Sequence, residues 1–155
     1  MLQRIQSIWL LLASLSLYAL FVFPLVHNVH GEGNSLTITA TGVFQDANGQ
    51  LAHTQFFTGL TITTAVVGII PLIIIFLYRN RKQQVALCYS AMLVVIGLSF
   101  WMEKTVEGVT NGAQIALANF GIGALLSSVS ILFLVLAVKS INRDEKLVKS
   151  ADRLR

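Results

Sequence analysis

Three histidines, His27, His30 and His53, fall in one stretch between apolar runs. An i,i+3 pair of imidazoles joined by a third could ligate zinc or copper, for which neutral imidazole is a good ligand. The same stretch holds no cysteine, and its carboxylates are Glu32 and Asp46. Ordinary loop histidines, with His27 and His30 at a headgroup boundary, account better for the set, so no metal or cofactor is assigned. Glu103 and Glu107 would share a helical face, as a general acid and base can, but Lys104 beside them makes a solvated cap the better reading. Cys88 is the single cysteine and sits inside an apolar run, which leaves it no disulfide or multi-thiolate role. No histidine lies inside such a run, so bis-histidine haem ligation is not available there. The chain offers no nucleophile beside a base, no phosphate-binding glycine loop and no charged group in mid-run. The expectation is a protein that is not an enzyme.

The elements that must carry these residues are apolar and long. In 155 residues, 55% are hydrophobic and 12% charged, with a mean hydropathy of +0.73. Four runs, 5–26, 56–78, 85–102 and 115–138, are each near the ~20 residues needed to cross a hydrocarbon core. The first is too long for a signal-peptide core and no small-x-small site follows it, so it is read as a retained span. Of the eleven Lys and Arg, all but Lys104 flank one side of these runs. The positive-inside rule therefore places both termini and the 79–84 turn in the cytoplasm and the 27–55 and 103–114 loops outside. The net charge of +4 is accounted for by topology and anionic headgroups, and nucleic acid is not expected as a partner.

The first outer loop changes period. Ser35 to Thr41 alternates hydroxyl and apolar residues as a half-buried strand does. Asn48-Gly49 then supplies the chemistry of a two-residue hairpin turn, which would pair Ala47 with Gln50, Asp46 with Leu51 and Phe44 with His53. In run two, Thr58, Thr61, Thr63 and Thr64 form a polar opening, Thr64 and Gly68 make a small-xxx-small step, and Pro71 should kink the helix. Run four has the densest small residues, with Gly123/Ser127 and Ala124/Ser128 four apart, and Asn119 as its one strongly polar side chain. In hydrocarbon Asn119 needs a partner, most simply a carbonyl or a threonine of run two. This face suits close packing within the chain, or contact with a separate subunit. After Val138 the sequence turns polar, and Leu147, Val148, Ala151 and Leu154 share one face of a short amphipathic helix. That helix would lie at the cytoplasmic interface or dock on a partner.

Gln3-Arg4-Ile5-Gln6-Ser7 followed by Leu10-Leu11-Leu12-Ala13, the basic turn Tyr78-Arg79-Asn80-Arg81-Lys82-Gln83 and the terminal 144–155 segment carry a resemblance. The chain resembles an uncharacterised four-span inner-membrane family of Bacteroidetes, catalogued as a domain of unknown function. The resemblance implies a bacterial inner (cytoplasmic) membrane and an up-down four-helix bundle, with no activity or catalytic residues. In layout alone the chain is similar to claudin-like proteins, but lacks their first-loop Trp and paired Cys.

The expectation is thus one all-α membrane domain over 1–155, an up-down four-transmembrane-helix bundle. A small extracytoplasmic β-hairpin would lie between helices 1 and 2, and a cytoplasmic C-terminal amphipathic helix would occupy the 139–155 tail. Its expected role is a non-enzymatic accessory or scaffolding subunit of an envelope assembly, whose partners are membrane lipids and other membrane proteins. Asn119, Gly123, Ser127, Leu147, Val148 and Leu154 are its candidate packing and interaction residues. The alternative is a small-molecule or lipid-handling protein with a site between helices 2 and 4, built on the threonine stretch and Asn119.

Overall fold

The computed structural model describes residues 3–31, 34–47, 50–77, 80–110 and 119–152. Its elements are helices α1 (Gln3–Ala19), α2 (Thr58–Phe76), α3 (Arg81–Val109) and α4 (Ile122–Asp152), and strands β1 (Val26–Gly31), β2 (Asn34–Ile38), β3 (Gly42–Ala47) and β4 (Gln50–Phe56). Helices α2, α3 and α4 are long and apolar enough to cross a membrane, while α1 is a shorter apolar helix. Much of α2 is isoleucine and threonine, β-branched residues that are mediocre helix formers in water. In hydrocarbon no water satisfies the backbone, so an apolar run must close its own hydrogen bonds, and α2 stays helical across the buried Pro71.

The helices form a ring in which α1 and α3 each pack on both α2 and α4. The start of α2 meets the far end of α3 at Gly59 and Trp101, and the start of α4 meets the chain just past α1 at Gly123 and Pro24. Thus α1 and α3 run toward the sheet, and α2 and α4 run away from it. The buried positions on α3, Gln84, Cys88, Ala91, Val95, Leu98, Met102 and Val106, advance by three or four residues at a time, as one seam of a left-handed bundle does. The outward face carries Ile62, Val66, Ile69, Ile73, Leu93, Leu125 and Leu132, all exposed. A belt of large aliphatic side chains around a filled interior is what a lipid-facing surface requires.

Polar contacts fix the ring. In the turn of α2 before Pro71, Ser14 of α1 donates to the Gly68 carbonyl at 2.7 Å. Ser130 of α4 donates to the Ala13 carbonyl of α1 at 3.2 Å. Gln84, at the start of α3, donates through Nε2 to the Ile74 carbonyl at 3.1 Å, satisfying an acceptor in the last turn of α2.

Four strands, not one hairpin, make up the part between α1 and α2, in antiparallel order β1-β2-β3-β4. The β3/β4 pairing has the expected register, with Ala47 opposite Gln50, Asp46 opposite Leu51 and Phe44 opposite His53. The Asn48-Gly49 turn itself lies outside the described residues. The chain leaves α1 at Ala19 and becomes extended by Val26, because Leu25 donates to the Ile38 carbonyl and Val26 pairs with Ile38 of β2. Strand β2 ends at Ile38, short of the Thr41 expected from alternation, because the Thr39 hydroxyl turns the chain. Its Oγ1 bonds the Gly42 carbonyl at 3.1 Å and accepts from the Thr41 and Gly42 amides at 3.3 Å each.

Two further expectations are corrected. Asn119 is not in α4 but at the end of a 3-10 turn before it: Phe120 bridges to Val26 and the Gly121 amide donates to the Leu25 carbonyl at 2.9 Å, so the chain is held against the sheet until α4 begins at Ile122. The tail is not a separate helix either. Helix α4 continues unbroken to Asp152, and Ile141 and Asp144 remain buried against the bundle, so tertiary packing carries the span past the point where its composition turns polar.

Candidate functional site

The sheet's two edges differ. Strand β1 is covered at Val26 by the bridge to Phe120, whereas β4 pairs with β3 on one side and, among the described residues, with no strand on the other. Along β4, Ala52, Thr54, Gln55 and Phe56 are exposed. The ladder pairs Val43 with Gln55 and Phe44 with His53, leaving Thr54 as an extra residue on β4. An extra residue reverses the alternation of faces beyond it, so His53 and Phe56 share a face and stack with ring centroids 3.9 Å apart. Phe44 meets the same imidazole edge-on at 4.3 Å. Gly42 permits the approach: a Cβ there would lie 2.2 Å from the Gln55 carbonyl oxygen and 2.6 Å from His53 Cε1.

The three histidines are not brought together. His27 and His30 lie on β1 and His53 on β4, the two outer strands of the sheet, separated by roughly 14 Å at about 4.8 Å per strand. Among the described residues no cluster of three potential ligands forms. Of the two glutamates at the sheet-proximal end of α3, Glu107 is paired with Lys104 at 2.5 Å, and both are exposed.

The small residues at the start of α4 face the chain's own backbone. A Cβ at Gly121 would lie 2.1 Å from the Pro24 carbonyl oxygen, and one at Gly123 2.6 Å from it and 2.7 Å from that of Phe23. Ser127 is buried one turn further on, and Asn119 is half-buried and engaged in the turn before the helix. This face is therefore occupied within the chain. On α2, Thr61, Thr63 and Thr64 donate to the Phe57, Gly59 and Leu60 carbonyls at 2.8, 2.9 and 2.8 Å, and the Thr61 hydroxyl also lies 3.3 Å from the Ala40 carbonyl in the β2/β3 turn. Helices α2 and α4 stand on opposite corners of the ring, each packed on α1 and α3. Sequence reasoning missed Ser14, Ser130 and Gln84, whose role depends on which carbonyl a neighbouring helix presents.

At the other end of the bundle, Leu147 is exposed, and the Val148 side chain and Leu154 lie outside what is described. A cavity of about 470 Å³ opens between α3 and α4 there, lined by Tyr89, Val135, Val138, Lys139, Asn142 and Arg143.

Among curated proteins none matches the chain. The family model described as "Domain of unknown function (DUF4293)" matches residues 2–154, nearly everything from the first turn of α1 to the end of α4 and including the four-stranded sheet. The chain belongs to that family.

Proposed function

We propose that this protein is a non-enzymatic accessory or scaffolding subunit of a bacterial inner-membrane assembly, offering its sheet to another protein outside the membrane. The single observation behind this reading is the uneven sheet, bridged to Phe120 at Val26 of β1 and, among the described residues, without a further strand beside β4. An open edge presents unpaired backbone donors and acceptors, and an extended segment can add to it as a further strand. The exposed Phe56 and the rings stacked beneath it would give such a strand an apolar anchor. In this reading all four helices cross the bilayer, with α1 spanning because it lies along α2 and α4 and reaches roughly 25 Å at about 1.5 Å per residue. Both termini are cytoplasmic by the distribution of Lys and Arg.

A photo-reactive amino acid placed at Thr54 should yield a protein adduct of one defined mass in intact cells. The same group at Ile62, exposed on the lipid-facing side of α2, should yield lipid adducts alone. Replacing Ala52 and Gln55 with Lys should abolish the Thr54 adduct without unfolding the bundle, because charges blunt an open edge. If Thr54 gives no adduct, or if the lysines leave it unchanged, the sheet edge is not the docking surface.

A further inference from the structure

We infer that the groove between α3 and α4 holds the headgroup of one anionic phospholipid. Its lining is ordered along the helix axis in the sequence that such a lipid presents. Val135 and Val138 come first, at the membrane-facing end, and Lys139, Asn142 and Arg143 follow within about a turn, with Tyr89 opposite on α3. Lys139 and Arg143 are four residues apart, so both cations stand on one face of α4, separated by about 6 Å of rise. The Asn142 amide and Tyr89 hydroxyl add uncharged donors on either side. Asp144 follows Arg143 directly, but its side chain is buried in the bundle and it does not line the groove.

The depth of the site fits a headgroup. Lys139 lies 17 residues beyond Ile122, roughly 26 Å along α4 and close to the ~30 Å thickness of a hydrocarbon core. Toward the bundle's middle, Leu93 lies one turn from Tyr89 along α3 and Leu132 about one turn from Val135 along α4, both exposed, a surface on which an acyl chain can lie. A free phosphate would have no use for that apolar approach. Basic pockets between membrane helices at the cytoplasmic surface attract anionic headgroups, and a volume of about 470 Å³ is within the ~300–1,000 Å³ range of small-ligand sites. This assignment is independent of the docking proposed for β4.

The test uses the full chain in neutral detergent, titrated with phosphatidylglycerol or phosphatidylcholine, with bound lipid counted by native mass spectrometry. The parent should retain one phosphatidylglycerol at least tenfold more tightly than phosphatidylcholine. The exposed double change K139Q/R143Q should lose that preference, by tenfold or more, and V135W should weaken it by filling the apolar end with both cations kept. R81Q/K82Q removes the same charge from the same end without touching the groove, and should keep the preference. Equal weakening by R81Q/K82Q would reduce the effect to general surface charge, and undiminished binding by K139Q/R143Q or V135W would place the lipid elsewhere. Displacement by glycerol phosphate at equal concentration would identify a soluble phosphate site instead; each of these outcomes overturns the assignment.

Discussion

Ser14 of α1 and Gly68 of α2 meet through a hydroxyl-to-carbonyl hydrogen bond of 2.7 Å, and one turn along α1 the Tyr18 ring rests on the same glycine, 3.0 Å from where a Cβ would be. The bond joins α1 to the turn of α2 that precedes Pro71. Ser14→Ala should lower stability in detergent by about 1 kcal/mol, the usual net worth of such a bond. An unchanged thermal midpoint would show that water or lipid satisfies Gly68 equally well.

Glycines on different faces should respond in opposite ways. Gly123→Ala drives a methyl into the Phe23 and Pro24 carbonyls, which are backbone and cannot rotate away, and should destabilise by roughly 1–3 kcal/mol. Gly97→Ala meets nothing within 4 Å and should be neutral or stabilising, by at most about 1 kcal/mol. Thermal unfolding of the two variants side by side checks the α4 start; equal behaviour would contradict the close approach.

The β2/β3 turn depends on one hydroxyl. Thr39→Val keeps the shape but loses the bonds to Gly42 and Thr41, and should cost about 1 kcal/mol. Hydrogen exchange at the Gly42 amide should quicken while exchange in α2 and α3 stays as it was. Unaltered Gly42 protection would mean that the ladder alone holds the turn.

The β3/β4 hairpin was legible because both of its causes are local: alternating residue types and an Asn-Gly turn. Strand β1 was not, since His27-Asn28-Val29-His30 has no alternation of its own and becomes a strand only through β2 and the Phe120 bridge. Run four read as apolar from Ile115 onward, and nothing local to Asn119 says that Gly121 must lie against Pro24. Likewise Gln84 and Asp144 look like surface residues in sequence, yet both are buried because neighbouring helices extend beyond the apolar runs. The groove depends on the α3/α4 register and leaves no sequence signal beyond the spacing of Lys139 and Arg143.

In the tail Asp144 is buried and Leu147 is exposed. Ile141 is fully buried, and Ile141→Ala should cost roughly 2–5 kcal/mol. Replacing Leu147, Val148 and Leu154 together with Ser, every charge kept, should leave the thermal midpoint within about 0.5 kcal/mol of the parent while weakening association with the membrane surface or a partner. Should the triple variant fractionate and co-purify as the parent does, the segment after Asp144 serves orientation alone.

The roles proposed for the sheet edge and the basic groove require them to lie on opposite sides of the membrane. Single cysteines at Thr54 and Asn80, both exposed, in a background with Cys88→Ala, report the side directly through a membrane-impermeant maleimide. In intact spheroplasts the Thr54 position should label and the Asn80 position should label only after lysis. Labelling of Asn80 before lysis, or protection of Thr54, would contradict the account.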